Sequence, residues 1–151
     1  MPRTISLYVD RRPVQMSKAD WYAPLHSRQD GLFYRGTPPG GTGLGWGALG
    51  QGLYLTWRKG MAKAYAQGGP IYTYSIPSDL NLLDYSSDEM AEIKRSMGFQ
   101  PWEYSDDPMY AAAITFEVGE LGYEGVISDN PAEGLVIFNP SPDVVVVAEE
   151  R

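Results

Sequence analysis

Two tyrosines eleven residues apart, Tyr54 and Tyr65, frame the part of this chain that reads as chemistry. Tyr54 lies in Gly52-Leu53-Tyr54-Leu55-Thr56, an apolar run of strand character, and Tyr65 falls on the helical stretch that follows. Rings at a strand end and on the next helix can face one another across a flat ligand, each contributing roughly 0.5–1.5 kcal/mol beyond simple burial. Upstream, Leu32-Phe33-Tyr34 reads as a buried strand delivering Arg35 to its end, followed by Gly36 and Thr37. A guanidinium fork suits phosphate or ribose oxygens and stays charged, and a glycine lets backbone amides approach a ligand closely. Together these residues predict a pocket for a planar ring attached to something charged. Taken singly, Arg35 would be an ion pair at a strand end and the Tyr65 face would be core.

The elements that must hold these residues follow from the pattern around them. Pro38 to Gly50 contains six glycines and two prolines, which predicts an irregular loop covering the pocket, with Trp46 as its one large side chain. Thr56 is the expected N-cap of the next helix, whose Trp57, Met61 and Tyr65 share one face. Ile71 to Ile76 alternates as a strand and stops at Pro77. Ser86 and Glu89 have the spacing of a capping box, opening a helix with Met90, Ile93 and Met97 inward until Gly98. Asp107-Pro108 predicts another helix start, with Ala112, Ala113 and Phe116 inward and an end near Leu121-Gly122. Thr4–Val9, Gly125–Ser128, Leu135–Phe138 and Val144–Val147 read as strands. Between Val14 and Asp30 the expectation is irregular chain, with one short turn capped by Ser17 and ended by Pro24. Strands at both ends with helices between them predict an α+β domain with antiparallel pairing.

Composition bounds the chemistry. The 151 residues fit a single domain, 1–151, with 43% hydrophobic and 21% charged residues. There is no cysteine and one histidine, His26, so no metal site of Cys or His type is expected. A net charge of −7 argues against nucleic acid and suits a basic protein partner. No apolar run approaches the roughly 20 residues of a membrane helix, and the N-terminus lacks a signal-peptide core, so the expectation is a cytoplasmic protein without membrane contact.

The strand ending in Arg35-Gly36, the Gly50-Gln51-Gly52-Leu53-Tyr54-Leu55 run and Tyr65 resemble the NAD-binding core of the ADP-ribosyltransferase superfamily. The tyrosine spacing is closest to the branch that includes the poly(ADP-ribose) polymerases and diphtheria toxin. The resemblance covers about Leu32 to Ile76 and Gly122 to Pro140. It implies two small, mainly antiparallel sheets forming an NAD cleft, flanked by about three helices. The implied activity is mono-ADP-ribosyl transfer from NAD to a macromolecule, most simply a protein side chain. By resemblance, Arg35, Gly36, Thr37, Trp46, Tyr54 and Tyr65 would contact NAD, with the Gly36 backbone on the nicotinamide carboxamide. Arg35, Tyr54 and Glu133 would be catalytic.

In many relatives the acid stands four positions before the aromatic of a late strand, which here is Gly134; Glu133 is one further back. A one-residue offset in a strand reverses the face, so Glu133 serves only if a bulge at Gly134 restores its direction. Asp129 or Glu124 are the alternatives. Ala62 stands where polymerase-like relatives have a serine. Small domains of this kind are typical of bacterial toxins and phage-encoded modifiers, and nothing resembles a targeting or regulatory domain, so a free-standing effector is expected. An NAD glycohydrolase, with water as acceptor, and a non-catalytic binding or inhibitor module remain open.

Overall fold

The computed structural model describes residues 15–16, 21–29, 31–39, 45–105 and 107–150. The strand expected at Thr4–Val9 and the cap expected at Ser17 lie outside these residues. Among the described residues the fold is α+β, with two mostly antiparallel sheets and four helices. In chain order these are β1 (Gln15–Met16), α1 (Ala23–Gln29), β2 (Phe33–Gly36), β3 (Gly45–Gly47), β4 (Gly50–Leu55), α2 (Lys59–Ala66) and β5 (Ile71–Ser75). Then come β6 (Leu82–Asp84), α3 (Asp88–Ser96), α4 (Pro108–Glu120), β7 (Gly125–Ile127), β8 (Leu135–Ile137) and β9 (Val145–Glu150).

A six-stranded sheet runs β1-β6-β7-β8-β4-β3 and a three-stranded sheet runs β2-β5-β9. Every pairing is antiparallel except β6 with β7, whose parallel register needs the long crossover that α3 and α4 supply. Alternation along the central strands fills both faces of the larger sheet. Leu53, Leu55, Ile127, Leu135 and Ile137 point to one side, where they meet Trp21, Leu25 and Phe33. Leu83, Val126 and Val136 point to the other, against Met90 and Ile93 of α3 and Tyr110, Ile114 and Val118 of α4. Fully burying such a side chain stabilises by about 1.5–3 kcal/mol.

Several local expectations are corrected by the coordinates. Pro24 lies in the first turn of α1 and does not end it, because a proline there lacks only an N–H that would be unpaired anyway. That helix raises the count from about three to four. The glycine-rich run is not wholly irregular: Gly45-Trp46-Gly47 pairs with Gly50-Gln51-Gly52 as a hairpin. Thr56 does not cap α2. Arg58 occupies the cap position without a side-chain bond, while the Thr56 hydroxyl accepts from the Arg58 N–H and donates to the Pro131 carbonyl. The α3 cap is Ser87, whose Oγ accepts from Met90 N at 3.2 Å, and Glu89 is instead buried under the Tyr123 hydroxyl. Asp107 does cap α4, with Pro108 at its first position. The buried face of α4, however, is Tyr110, Ala111, Ile114 and Val118, leaving Phe116 exposed. Apolar residues occur all round this helix, so spacing alone does not fix its phase.

Candidate functional site

The site arises where β4 changes neighbours. Its first half, Gly50 to Gly52, is paired with β3, and past its end Thr56 bridges to Tyr34 of β2. The Tyr34 N–H donates to the Thr56 carbonyl at 2.7 Å and the Thr56 N–H donates back at 2.9 Å. This bridge is isolated, and it is the backbone link between the two sheets among the described residues. An antiparallel ladder extended from it would next pair Gly36 with Tyr54, because backbone groups two residues apart point the same way. The ladder stops instead, and the strands part at those two residues.

A cavity of about 610 Å³ fills the opening, within the range of about 300–1,000 Å³ usual for small-molecule sites. Its lining includes Arg35 and Gly36 from β2, Trp46 from β3, Tyr54 from β4, Tyr65 from α2 and Glu133 from the turn before β8. Six of the seven residues expected to share a site therefore line one cavity, and Thr37 is the exception. Thr37 is buried, its N–H is bonded to the Pro70 carbonyl, and it does not line the cavity. Gly36 is fixed by packing as well as by any ligand: a Cβ there would lie 1.8 Å from the Ala62 carbonyl oxygen of α2. The same contact puts Ala62, also a lining residue, against the strand.

The two tyrosines hold the site together through their hydroxyls. Tyr54 donates to the Gly50 carbonyl at 2.7 Å and accepts from Leu49 N at 3.2 Å, tying its ring to the β3–β4 turn. Burial pushes this phenol well above its ordinary value, and the Glu133 carboxylate pushes it the same way. Tyr54 is thus a neutral ring face with its hydroxyl already committed. Tyr65, 54% exposed, donates to the Ala132 carbonyl at 2.7 Å.

Glu133 is not in a strand, so the face rule for its one-residue offset does not apply. Residues 128–134 form a tight turn in which Glu133 N and Gly134 N both donate to the Asn130 carbonyl and Ser128 N donates to the Gly134 carbonyl. Gly134 adopts φ +68°, a left-handed conformation that suits glycine, and β8 begins after it in unbroken register with β7. A turn, not a bulge, aims the carboxylate at the cavity. Its Oε1 accepts from Ser128 Oγ at 2.8 Å. Thr56, just past β4, and Tyr65 of α2 hold the same turn by donating to the Pro131 and Ala132 carbonyls. Asp129 and Glu124 are exposed and do not line the cavity; Glu124 accepts from Asn81 N instead.

Tyr34 and Tyr104 also line the cavity, and sequence reasoning assigned neither to it. Tyr34 was readable as the strand residue before Arg35. Tyr104 stands in the Pro101–Ser105 loop, where the signal was the pair of aromatics Trp102 and Tyr104 in a segment with no core to serve. His26 is exposed and stacks on Tyr22, away from the lining residues. Among the described residues no group of three or more His, Asp and Glu side chains could hold a metal ion, and no helix is long and apolar enough to cross a membrane. Compared with protein-family models, curated proteins and solved structures, the chain gives no match.

Proposed function

We propose that this protein takes NAD⁺ as substrate in the cavity and transfers its ADP-ribose to a macromolecular acceptor, releasing nicotinamide, as a cytosolic mono-ADP-ribosyltransferase with the fold of that superfamily. The observation that carries the reading is that Arg35, Gly36, Tyr54, Tyr65 and Glu133, from four separate segments, line one cavity of about 610 Å³. Each matches a need of the reaction. The parted strands leave the Gly36 peptide directed toward the opening, where a carboxamide can use its N–H and C=O. Tyr54 and Tyr65 offer ring surface to the pyridinium. Arg35 offers a permanent cation to the pyrophosphate. Ala62 supplies no hydroxyl, so the carboxamide contact rests on the backbone.

Glu133 is the anion placed to face the ribose as it gains positive charge. Breaking the glycosidic C–N bond sends its electron pair to the pyridinium nitrogen, so neutral nicotinamide leaves. The acceptor nucleophile then bonds to the same ribose carbon and gives up a proton. A fixed carboxylate facing the developing cation stabilises the transition state, a contribution that typically reaches about 10²–10³ in rate. The Ser128 hydroxyl bond holds one carboxylate oxygen in place.

Incubation with NAD⁺ labelled in its adenylate half, in the presence of cell extract, tests this. Label on a macromolecular band supports transfer. Free ADP-ribose alone would make the protein a glycohydrolase, and intact NAD⁺ with no nicotinamide would overturn the enzymatic reading.

A further inference from the structure

One side of the cavity mouth is made by a loop that the proposed chemistry does not use. It follows α3 and is built as a rigid unit. Gln100 N donates to Glu103 Oε1 at 2.7 Å and Glu103 N donates to the Gln100 carbonyl, closing a turn around Pro101 and Trp102. Behind it Lys94, only 2% exposed, donates to the Pro101 carbonyl at 2.8 Å and to the Tyr85 hydroxyl at 3.2 Å. A buried ammonium is costly unless its donors are satisfied, so this anchor fixes the loop firmly. What the loop presents outward is unusual for a surface turn: Trp102 is 76% exposed and Tyr104 59% exposed, with exposed Glu103 between them. Tyr104 reaches the cavity lining, so the aromatic surface is continuous with the site.

Exposed aromatic faces beside a carboxylate attract two kinds of partner, bases of a nucleic acid and cationic side chains. Charge decides between them. The chain carries a net −7, and the loop from Pro101 to Ser105 contains an acid and no Lys or Arg, so a phosphate backbone would be repelled and a basic chain drawn in. We infer that the Gln100–Ser105 loop is a docking surface for a basic polypeptide segment, Trp102 and Tyr104 stacking on Arg or Lys side chains beside Glu103. Resting on the reading of the cavity as an ADP-ribosyl transfer site, this makes the loop the element that brings a basic protein acceptor to it.

The test uses fluorescently labelled polyarginine and polylysine peptides, with polyglutamate and single-stranded DNA as comparators, measured by anisotropy against the full chain. The wild-type protein should bind the basic peptides and neither comparator. The double variant Trp102→Ala, Glu103→Gln should bind them about tenfold more weakly. Neither residue lines the cavity, and glutamine retains an acceptor oxygen for Gln100 N, so nicotinamide release into water should be unchanged. Equal peptide binding by variant and wild type would overturn the assignment, as would tighter binding of DNA or polyglutamate. The binding arm needs no turnover: a wild-type protein that grips polyarginine through this loop but releases no nicotinamide would refute the reading of the cavity and leave the docking surface standing.

Discussion

Gly134 is the residue on which the placement of Glu133 depends, and replacing it with alanine separates two costs that the structure predicts together. The first is conformational: φ is +68°, and an L-residue in the left-handed region loses about 1–2 kcal/mol. The second is steric, because a Cβ would lie 2.0 Å from the Leu55 carbonyl oxygen of β4. Backbone in a paired strand cannot swing aside as a flexible side chain does, and such overpacking costs about 1–3 kcal/mol. The sum is about 2–5 kcal/mol, a large part of the roughly 5–15 kcal/mol that holds a domain folded. For a chain of this size each kcal/mol is worth about 2–4 °C in Tm, so the melting point should fall by roughly 4–20 °C.

Gly98 supplies the control. Its φ is +90°, yet nothing lies within 4 Å of where its Cβ would be, so Gly98→Ala should show the conformational cost alone. Urea unfolding of the two variants at neutral pH measures the difference. Because the clash is relieved only by moving the turn off β4, Gly134→Ala should also lose nicotinamide release, and Gly98→Ala should keep it. Equal destabilisation at the two positions, or full activity in Gly134→Ala, would refute the claim that close packing of this turn on β4 aims the carboxylate.

Glu133→Gln, which preserves shape and the Ser128 contact, should leave NAD⁺ affinity by calorimetry nearly unchanged while slowing nicotinamide release at least 100-fold; equal rates would remove the carboxylate from the reaction. Tyr54→Ala should weaken NAD⁺ binding by about tenfold, whereas Tyr54→Phe should bind normally and instead lower stability by about 1 kcal/mol through its lost backbone bonds; a Phe variant that fails to bind would mean the hydroxyl, not the ring, meets the ligand. Burial raises the phenols of Tyr54, Tyr85 and Tyr123 above the ordinary 10.0, so above pH 10 the unfolded chain binds fewer protons than the folded one. Their contribution to stability is therefore complete below pH 10 and is lost as pH rises beyond it. Phenolate absorbance should show a set of tyrosines that ionise only when the chain unfolds, and simple titration of all eleven tyrosines near pH 10 would contradict this.

The sequence was most legible where one residue's chemistry dictates one backbone. Asp107-Pro108 permits little but a helix start, and Ile71 to Ser75 alternates because one face of β5 is buried. The spacing of Tyr54 and Tyr65 carried over because a strand and the following helix are short, regular connectors. Less legible were features set by what lies across space. The Gly45-Trp46-Gly47 hairpin is hidden because glycines carry no pattern, and their pairing with Gly50 to Gly52 is a matter of register. Glu133 was misjudged geometrically because strand alternation was extended into a turn whose bonds are mostly local to residues 128–134. Phe116 was expected inward because an exposed aromatic looks like core until the helix phase is known, whereas Tyr104 went unassigned because the path of its loop is not written in its residues.

The bridge between Tyr34 and Thr56 carries a mechanical implication. Besides the side chains packed between them, the two sheets share this one backbone bridge among the described residues, and the gape at Gly36 and Tyr54 lies barely two residues from it. A swing of a few degrees there changes the gape by only a fraction of an ångström, whereas the same swing carries the distant edge at β9 much further. Any relative motion of the two sheets about this bridge therefore alters the opening at Gly36 and Tyr54 least and the position of β9 most.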